Sequence, residues 1–250
     1  MDTRFWGPSA WRLLHLIAAA EHGGHSNLKR FFSSLPYVLP CKYCRYSLTE
    51  YIDETPISFP LDKWLWQIHN KVNGKLRSQN LHVEPDPPFA TVRRIYSDRL
   101  IAGCTRTEFQ GWEFLFSIVE NHPYSRGALT GTPIPNAPES APQTCKERNR
   151  WNMCTPEERF ERYKEFWETL PKVLPYPEWK GIWETCAADW SDRPTALKTL
   201  WGIRCRMEKE LQLLNKTTFS SLCKTLRQHR SGCNRARRAK TCRKKKGGDK

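Results

Sequence analysis

Pro40-Cys41-Lys-Tyr-Cys44 and, farther on, Leu61-Asp-Lys-Trp64-Leu-Trp-Gln-Ile68-His69-Asn70-Lys-Val72-Asn73-Gly-Lys75-Leu76 are the two stretches from which this chain is read. In the second, Trp64, Ile68, Val72 and Leu76 recur every fourth residue, which is one stripe of an α-helix. His69 and Asn73, at i and i+4, share another face of it. In the first, a proline precedes the cysteines, so the sequence predicts a helix whose first turn carries both. There the unpaired N–H groups and the helix dipole stabilise a thiolate, the attacking species of disulfide exchange. The three-residue separation lets the two sulfurs meet. On its own the pair stays open to three readings: a redox dithiol, half of a zinc site completed by His15 and His69, or two ordinary helix-end cysteines.

Working outward, residues 9–22 place Trp11, Leu14, His15 and Ala18 at helical spacing, with Ser9 as N-cap after Pro8. A short helix over 27–35 is ended by Pro36. The cysteine helix spans 41–52, and Pro85-Asp-Pro-Pro88 breaks the chain before a short fifth helix over 89–95. The segment 123–156, rich in Pro, Gly, Asn, Ser and Thr, reads as a long loop. Helical periodicity resumes at 157 and continues to about 228. No alternating strand pattern is found, so the expected class is all-α.

A repeat runs through this pattern. Leu35-Pro-Tyr-Val-Leu-Pro40 returns as Leu170-Pro-Lys-Val-Leu-Pro175, and the same offset aligns Phe31 with Phe166, Phe32 with Trp167, Trp66 with Trp201, Ile68 with Ile203 and Leu76 with Leu211. Upstream, Trp11-Arg-Leu-Leu-His15 resembles Trp112-Glu-Phe-Leu-Phe116 at a shorter offset, and the difference equals an insertion between the first two helices of the copy. The copy keeps apolar spacing, as packing requires, but loses the polar set. Cys41 and Cys44 become Tyr176 and Trp179, His15 becomes Phe116, and His69, Asn70 and Asn73 become Arg204, Cys205 and Glu208. We therefore expect a first domain over 1–97, a second helical domain over 98–228 that is a degenerate copy with the loop 123–156 inserted, and a basic tail over 229–250.

The formal charge of +15 is concentrated in that tail, where residues 224–250 hold twelve Lys or Arg and one acid. Such a segment, poor in large apolar residues, is expected to be disordered. It suits nucleic-acid contact, nuclear import or attraction to acidic surfaces, and equally a solubilising role. No apolar run reaches membrane-spanning length, and the N-terminus lacks the pattern of a signal peptide. Ten cysteines without a secretory signal favour redox chemistry or metal binding over a disulfide framework.

The surroundings of the cysteine pair narrow the choice. An adenine or isoalloxazine ring needs flat aromatic and apolar walls with a few polar groups at its edges. Trp64, His69, Asn70, Asn73 and Lys75 supply both kinds of group, and Trp11 with His15 offers a second wall. Trp6-Gly-Pro-Ser-Ala-Trp11-Arg-Leu-Leu-His15, Leu39-Pro-Cys41-Lys-Tyr-Cys44 and Trp64-Leu-Trp-Gln-Ile-His69-Asn-Lys-Val-Asn73-Gly-Lys-Leu76 together resemble, in order and spacing, the Erv/ALR family of FAD-linked sulfhydryl oxidases, most of all the versions in large DNA viruses.

The resemblance covers residues 1–97. It implies a four-helix bundle with a short fifth helix, FAD held non-covalently and no metal. It implies that Cys44 lies beside the flavin while Cys41 exchanges with substrate, and that Trp11, His15, Trp64, His69, Asn70, Val72, Asn73 and Lys75 line the FAD site with Trp6 and Gly7 near its edge. It further implies oxidation of dithiols in protein substrates or a thioredoxin-like carrier, with oxygen as acceptor and hydrogen peroxide as product. A virus-like member is expected in host cytoplasm or virion. The second half resembles the flavin-free copy some members carry, giving an internal pseudo-dimer as an alternative to a homodimer. Two departures stand out. Glu21-His22 occupies the place of a frequent Tyr-Tyr-Pro, and no cysteine occurs between Cys44 and Cys104 for a bridge many members have. Cys145 with Cys154 and Cys233 with Cys242 are candidate shuttle pairs, whereas Cys104, Cys186, Cys205 and Cys223 are expected to be buried or structural. His22, His25, His82, His122 and His229 are expected to be solvated. The competing readings are a zinc-binding or nucleic-acid-associated scaffold and a thiol-exchange protein without flavin.

Overall fold

The computed structural model describes residues 1–129 and 131–230. Cys233, Cys242 and the basic tail beyond residue 230 lie outside the described residues. Every regular element among these is a helix: α1 (Thr3–Ala20), α2 (Gly24–Val38), α3 (Lys42–Glu54), α4 (Leu61–Ser78), α5 (Phe89–Ala102), α6 (Trp112–Glu120), α7 (Arg126–Leu129), α8 (Cys145–Arg150), α9 (Pro156–Val173), α10 (Pro177–Glu184), α11 (Arg193–Glu210) and α12 (Phe219–His229).

Side-chain capping marks several of the starts. Asp2 accepts from the Arg4 N–H to begin α1. Thr155 and Glu158 form a reciprocal capping box ahead of α9, with Pro156 at its first position. Asp192 and Thr218 cap α11 and α12 in the same manner. Ser9 is not the cap of α1. Its hydroxyl lies inside that helix, donates to the Gln110 carbonyl at 2.7 Å and accepts from the Phe114 N–H at 3.2 Å. Pro36 does not end α2, which runs on to Val38. The fifth helix extends to Ala102, so a boundary at residue 97 falls within it.

One hydrophobic core, rather than two, runs through the chain, with Ile17, Phe31, Phe32, Trp64, Trp112, Phe116, Phe166 and Leu200 all shut away from solvent. Its largest helix pairing is α2 on α9, followed by α1 on α6; α1 also packs against α4 and α5, and α11 against α6 and α10. Positions that correspond in the sequence repeat meet across these pairings. The fully buried rings of Phe31 and Phe166 stack with centroids 5.3 Å apart. Beside them the Arg30 guanidinium donates to the Glu165 carboxylate at 3.1 Å. The Ser9–Gln110 bond joins α1 to the turn just before α6, between positions that the sequence repeat aligns.

The expected long loop between α6 and α9 holds two short helices, α7 and α8. It is anchored to the cysteine helix. Lys146 pairs with Asp53 and Arg150 with Glu50, the Tyr46 ring meets Trp151 edge-on at 5.3 Å, and Lys42 donates to the Thr132 carbonyl at 2.8 Å.

Several isolated side chains depart from expectation. His122 is fully buried, bonded to the Trp190 carbonyl at 3.0 Å and accepting from the Tyr124 N–H. His25 is exposed as expected while stacking on Phe59, and His229, half-buried, stacks on Phe5. Cys205 is exposed rather than buried, whereas Cys104 is buried as expected.

Gly23 marks where α2 meets α9. Its φ of 89° is in the left-handed region, and a Cβ placed there would run into the Lys172 carbonyl. Gly24, with φ of 78°, has open space around it. Both Ala variants incur the backbone penalty of about 1 kcal/mol, but Gly23→Ala should cost roughly 1–3 kcal/mol more because α2 must move off α9. Urea unfolding of the two variants side by side measures the difference.

Candidate active site

Cys41 is the N-cap of α3, with φ −146° and ψ 120°, and Cys44 is the third residue of the helix. The Cys44 and Arg45 N–H groups both turn back to the Cys41 carbonyl at 3.0 Å, which fixes the two cysteines on one tight turn. Both are half-buried. The Lys75 ammonium bonds the Ser47 hydroxyl and so ties α4 to α3 one turn below the cysteines.

Helices α1, α4 and α5 carry a group of flat rings. The Trp11 indole lies on the His69 imidazole, 3.8 Å between centroids and 10° from parallel. His15 and His69 share a hydrogen bond, Nε2 to Nδ1, of 3.1 Å, and Tyr96 from α5 stacks on His15 at 5.1 Å. Burial, helped by His69, pulls His15 down to about 3. Burial pulls His69 down to about 4 against the attraction of Asp86. Both imidazoles are therefore neutral near pH 7, one donating and the other accepting. The Asn73 amide donates to Asp86 at 2.7 Å. Arg77 also pairs with Asp86 and, with Asn73, holds that carboxyl below the usual range although burial pushes the other way.

The structure thus brings Trp11, His15 and His69 together and sets Asn70, Val72, Asn73 and Lys75, all half-buried, along the next turns of α4. Beyond Ile68 α4 buries no side chain, and α5 buries none. Apolar and aromatic groups with amide and ammonium edges thus remain partly exposed here, a donor set suited to a flat, polar-edged ring system. Trp64 and Trp6 are different. Trp64 is 1% exposed, edge-on to Phe32 and bonded to the Thr55 carbonyl, and Trp6 packs on Phe114; both belong to the core. A Cβ on Gly7 would meet nothing. Glu21, at the place of the missing tyrosines, caps α4 by accepting from the Leu61 N–H.

The residues that the sequence repeat aligns with these pack against one another. Trp112 lies 6.0 Å from Phe116, as Trp11 does from His15. The Arg204 guanidinium sits over Trp112 where His69 sits over Trp11, bonded to Glu208 at 2.6 Å. The Phe109 ring packs against both Trp112, at 4.3 Å, and Trp179, at 4.7 Å. Trp112 is 1% exposed, whereas Trp11 is only half-buried.

The insertion brings a second cysteine pair to this end of α3. The Cys145 and Cys154 sulfurs are 3.9 Å apart, a contact between thiols rather than a bond. A groove of about 450 Å³, lined by Arg30, Glu158, Arg162, Glu165 and Glu168, leads to Cys145. Another cavity of about 230 Å³ lies between α1, α5 and α10 and reaches none of the paired cysteines. Sequence reasoning passed over Tyr96, Asp86, Arg45 and Arg159. Tyr96 lies at the edge of the segment that was legible, and the arginines carry no motif. Among the described residues no three His, Cys, Asp or Glu side chains gather as metal ligands, so Cys41, Cys44, His15 and His69 do not form the zinc cluster considered above. No helix among them is long and apolar enough to cross a membrane.

One all-helical fold thus holds a cysteine pair on a helix N-terminus and an indole stacked on one of two hydrogen-bonded, neutral imidazoles. Residues 8–92 match the Erv1 / Alr family. The chain is 32% identical over 85 residues to the mitochondrial FAD-linked sulfhydryl oxidase ERV1 of Saccharomyces cerevisiae, a match covering 30% of this chain and 45% of that protein. It is 29% identical over 84 residues to the FAD-linked sulfhydryl oxidase of African swine fever virus (isolate Pig/Kenya/KEN-50/1950), covering 30% and 70%. It is 27% identical over 92 residues to the putative FAD-linked sulfhydryl oxidase 096R of Invertebrate iridescent virus 3, covering 32% and 62%. The chain thus spans less than half of the yeast relative and under two thirds of the iridescent virus one. No solved structure matches it significantly.

The buried histidines set a pH dependence. From pH 6.5 down towards about 4 for His69, and about 3 for His15, the unfolded chain takes up protons that the folded one refuses. Stability is therefore full above pH 6.5 and falls with pH below it, by up to about 1.4 kcal/mol per pH unit for each histidine. Urea unfolding between pH 4.5 and 7.5 should show that slope, and His15→Phe should flatten it by one histidine's share.

Proposed function

We propose that this protein is an FAD-dependent thiol oxidase that forms disulfides in protein substrates. What supports this most is that the cysteine turn of α3, whose helix is tied to α4 through Lys75 and Ser47, and the Trp11–His69 stack fall within one segment matching the Erv1 / Alr family. Trp11, His15, His69, Asn70, Val72, Asn73 and Lys75 would hold the cofactor, with Tyr96 behind His15 and Gly7 at the rim. Trp6 and Trp64 brace the walls from the core. Bound FAD supplies a two-electron acceptor that passes electrons on to oxygen, giving hydrogen peroxide. The chain's own residues do the remaining work. Cys41 exchanges with the incoming dithiol and Cys44 is the sulfur towards the cofactor. The neutral His15–His69 pair offers a hydrogen bond without adding charge, and Asp86 fixes the Asn73 amide.

The second half is, on this reading, a degenerate internal copy. Helices α6, α9, α10, α11 and α12 follow the order of α1 to α5, and counterpart residues meet at Phe31–Phe166, Arg30–Glu165 and Ser9–Gln110, as about a two-fold axis. Phe109, with the Arg204–Glu208 pair, occupies the place of a ring, so this half would bind no cofactor. It would instead serve as the built-in partner of a pseudo-dimer and carry Cys145 and Cys154, which we assign as the pair that receives electrons from protein dithiols through the groove at Cys145.

The purified protein should show a flavin spectrum and take up oxygen when dithiothreitol is added; absence of both rejects the reading. Cys44→Ala should keep the flavin and lose turnover. His69→Ala or Asn73→Asp should lower flavin retention, measured as the absorbance ratio after gel filtration. Cys145→Ser should leave dithiothreitol oxidation intact and slow oxidation of a reduced protein several-fold; equal rates on both would remove the relay.

A further inference from the structure

Two arginines are buried in this protein with no carboxylate to balance them. Arg45, directly after Cys44, is 4% exposed; Arg159, on the first turn of α9 and five residues after Cys154, is 8% exposed. Neither makes an ion pair among the described residues, and the Nε of each is buried without a hydrogen-bond partner. Arg45 donates from one end to the Leu39 carbonyl at 2.9 Å and from the other to the Asn152 amide oxygen. Arg159 makes no side-chain hydrogen bond within the described residues. A buried guanidinium without a counter-ion costs several kcal/mol, and burial pulls both arginines down, Arg159 to about 9 with Arg45 adding repulsion. Arg45 thereby spans the two cysteine segments, because Leu39 lies two residues before Cys41 and Asn152 two before Cys154, and sulfurs of both segments offset its burial as Cys154 does that of Arg159.

We propose that Arg45 and Arg159, one from each half of the chain, are positioning residues that together hold the thiolate passed between Cys154 and the Cys41–Cys44 pair. This rests on the relay assigned above. In the step, the Cys154 thiolate bonds to Cys41 of the oxidised pair and breaks the Cys41–Cys44 bond, leaving Cys44 as a thiolate. Cys145 then gives its proton to solvent, attacks Cys154 and releases Cys41. Two electrons move from the Cys145/Cys154 dithiol, now a disulfide, to Cys41 and Cys44, which take up two protons from solvent. At each stage one sulfur anion is present, and the two guanidiniums are the buried cations there without a carboxylate, Arg148 and Arg162 being paired with Glu158 and Glu165. Burial and Cys145 push the Cys154 thiol up and Glu158 adds to this; Arg148, itself paired with Glu158, pulls it down. The two unpaired arginines supply the charge that Arg148 shares away.

Arg159→Met is the decisive variant, because it removes charge without removing a hydrogen bond. A buried unpaired charge replaced by an apolar chain of similar length should leave stability unchanged or raise it. In the fully reduced, anaerobic holoprotein, pulsed iodoacetamide alkylation read by mass spectrometry gives the pH midpoint of each cysteine. We expect the Cys154 midpoint to rise by about one pH unit in Arg159→Met, those of Cys41, Cys44 and Cys154 to rise in Arg45→Gln, and Arg159→Lys to restore the wild-type midpoint. Midpoints that stay fixed in both neutral variants, or a change only in plateau rate, overturn the proposal. The alkylation readout needs no turnover. Shifted midpoints in a protein without oxidase activity would sink the functional reading alone, and unmoved midpoints in an active oxidase would sink this inference alone.

Discussion

The close packing of α2 on α9 is the contact from which the other placements follow. Two helices approach closely enough that a carbonyl of one rests where the Cβ of residue 23 on the other would be, and a glycine there makes the approach possible. Phe31 and Phe166 then fill the centre, and burial of two such rings contributes several kcal/mol in transfer alone. Because α9 is held there, the chain entering it is held too. The insertion arrives over α3, Asn149 reaches the Pro36 carbonyl at 2.9 Å, and Cys154 comes to the neighbourhood of Arg45. Loosening α2 from α9 would leave the cysteine turn intact and displace everything that approaches it.

Much of the first half was legible in the sequence because its signals are local. The stripe of Trp64, Ile68, Val72 and Leu76, the proline before Cys41 and the pairing of Trp11 with His15 each depend on a few neighbouring residues; α3 and α4 lie where those signals put them, whereas α1 begins at Thr3, six residues before the expected cap. The ends were less legible. Pro36 sits in the last turn of α2, where the helix is already held by α9, and Phe89–Ala102 runs past the expected stop because its C-terminal turns lean on α1. The site itself was legible as a set of residue types but not as a division of labour. Trp64 and Trp11 look alike in sequence, and only the packing of Phe32 makes one core and leaves the other beside His69. Arg45 and Arg159 were invisible because nothing local to either distinguishes a buried arginine from a solvated one.

The two halves treat the same framework in opposite ways. In one, Trp11 and His69 stay partly exposed and the polar positions of α4 face outward. In the other, Phe109 and the Arg204–Glu208 pair close over Trp112. A well-filled aromatic cluster is worth more to stability than a half-open one.

That both halves belong to one polypeptide has a consequence for how the molecule behaves when scarce. An interface between separate subunits dissolves on dilution, because its occupancy follows concentration. Here α2 and α9 are bound to each other through the backbone, at an effective local concentration set by the intervening chain rather than by the number of molecules present. The assembled unit is the same in the first few copies made as in the last, and no exchange with a related chain can replace one half by a stranger.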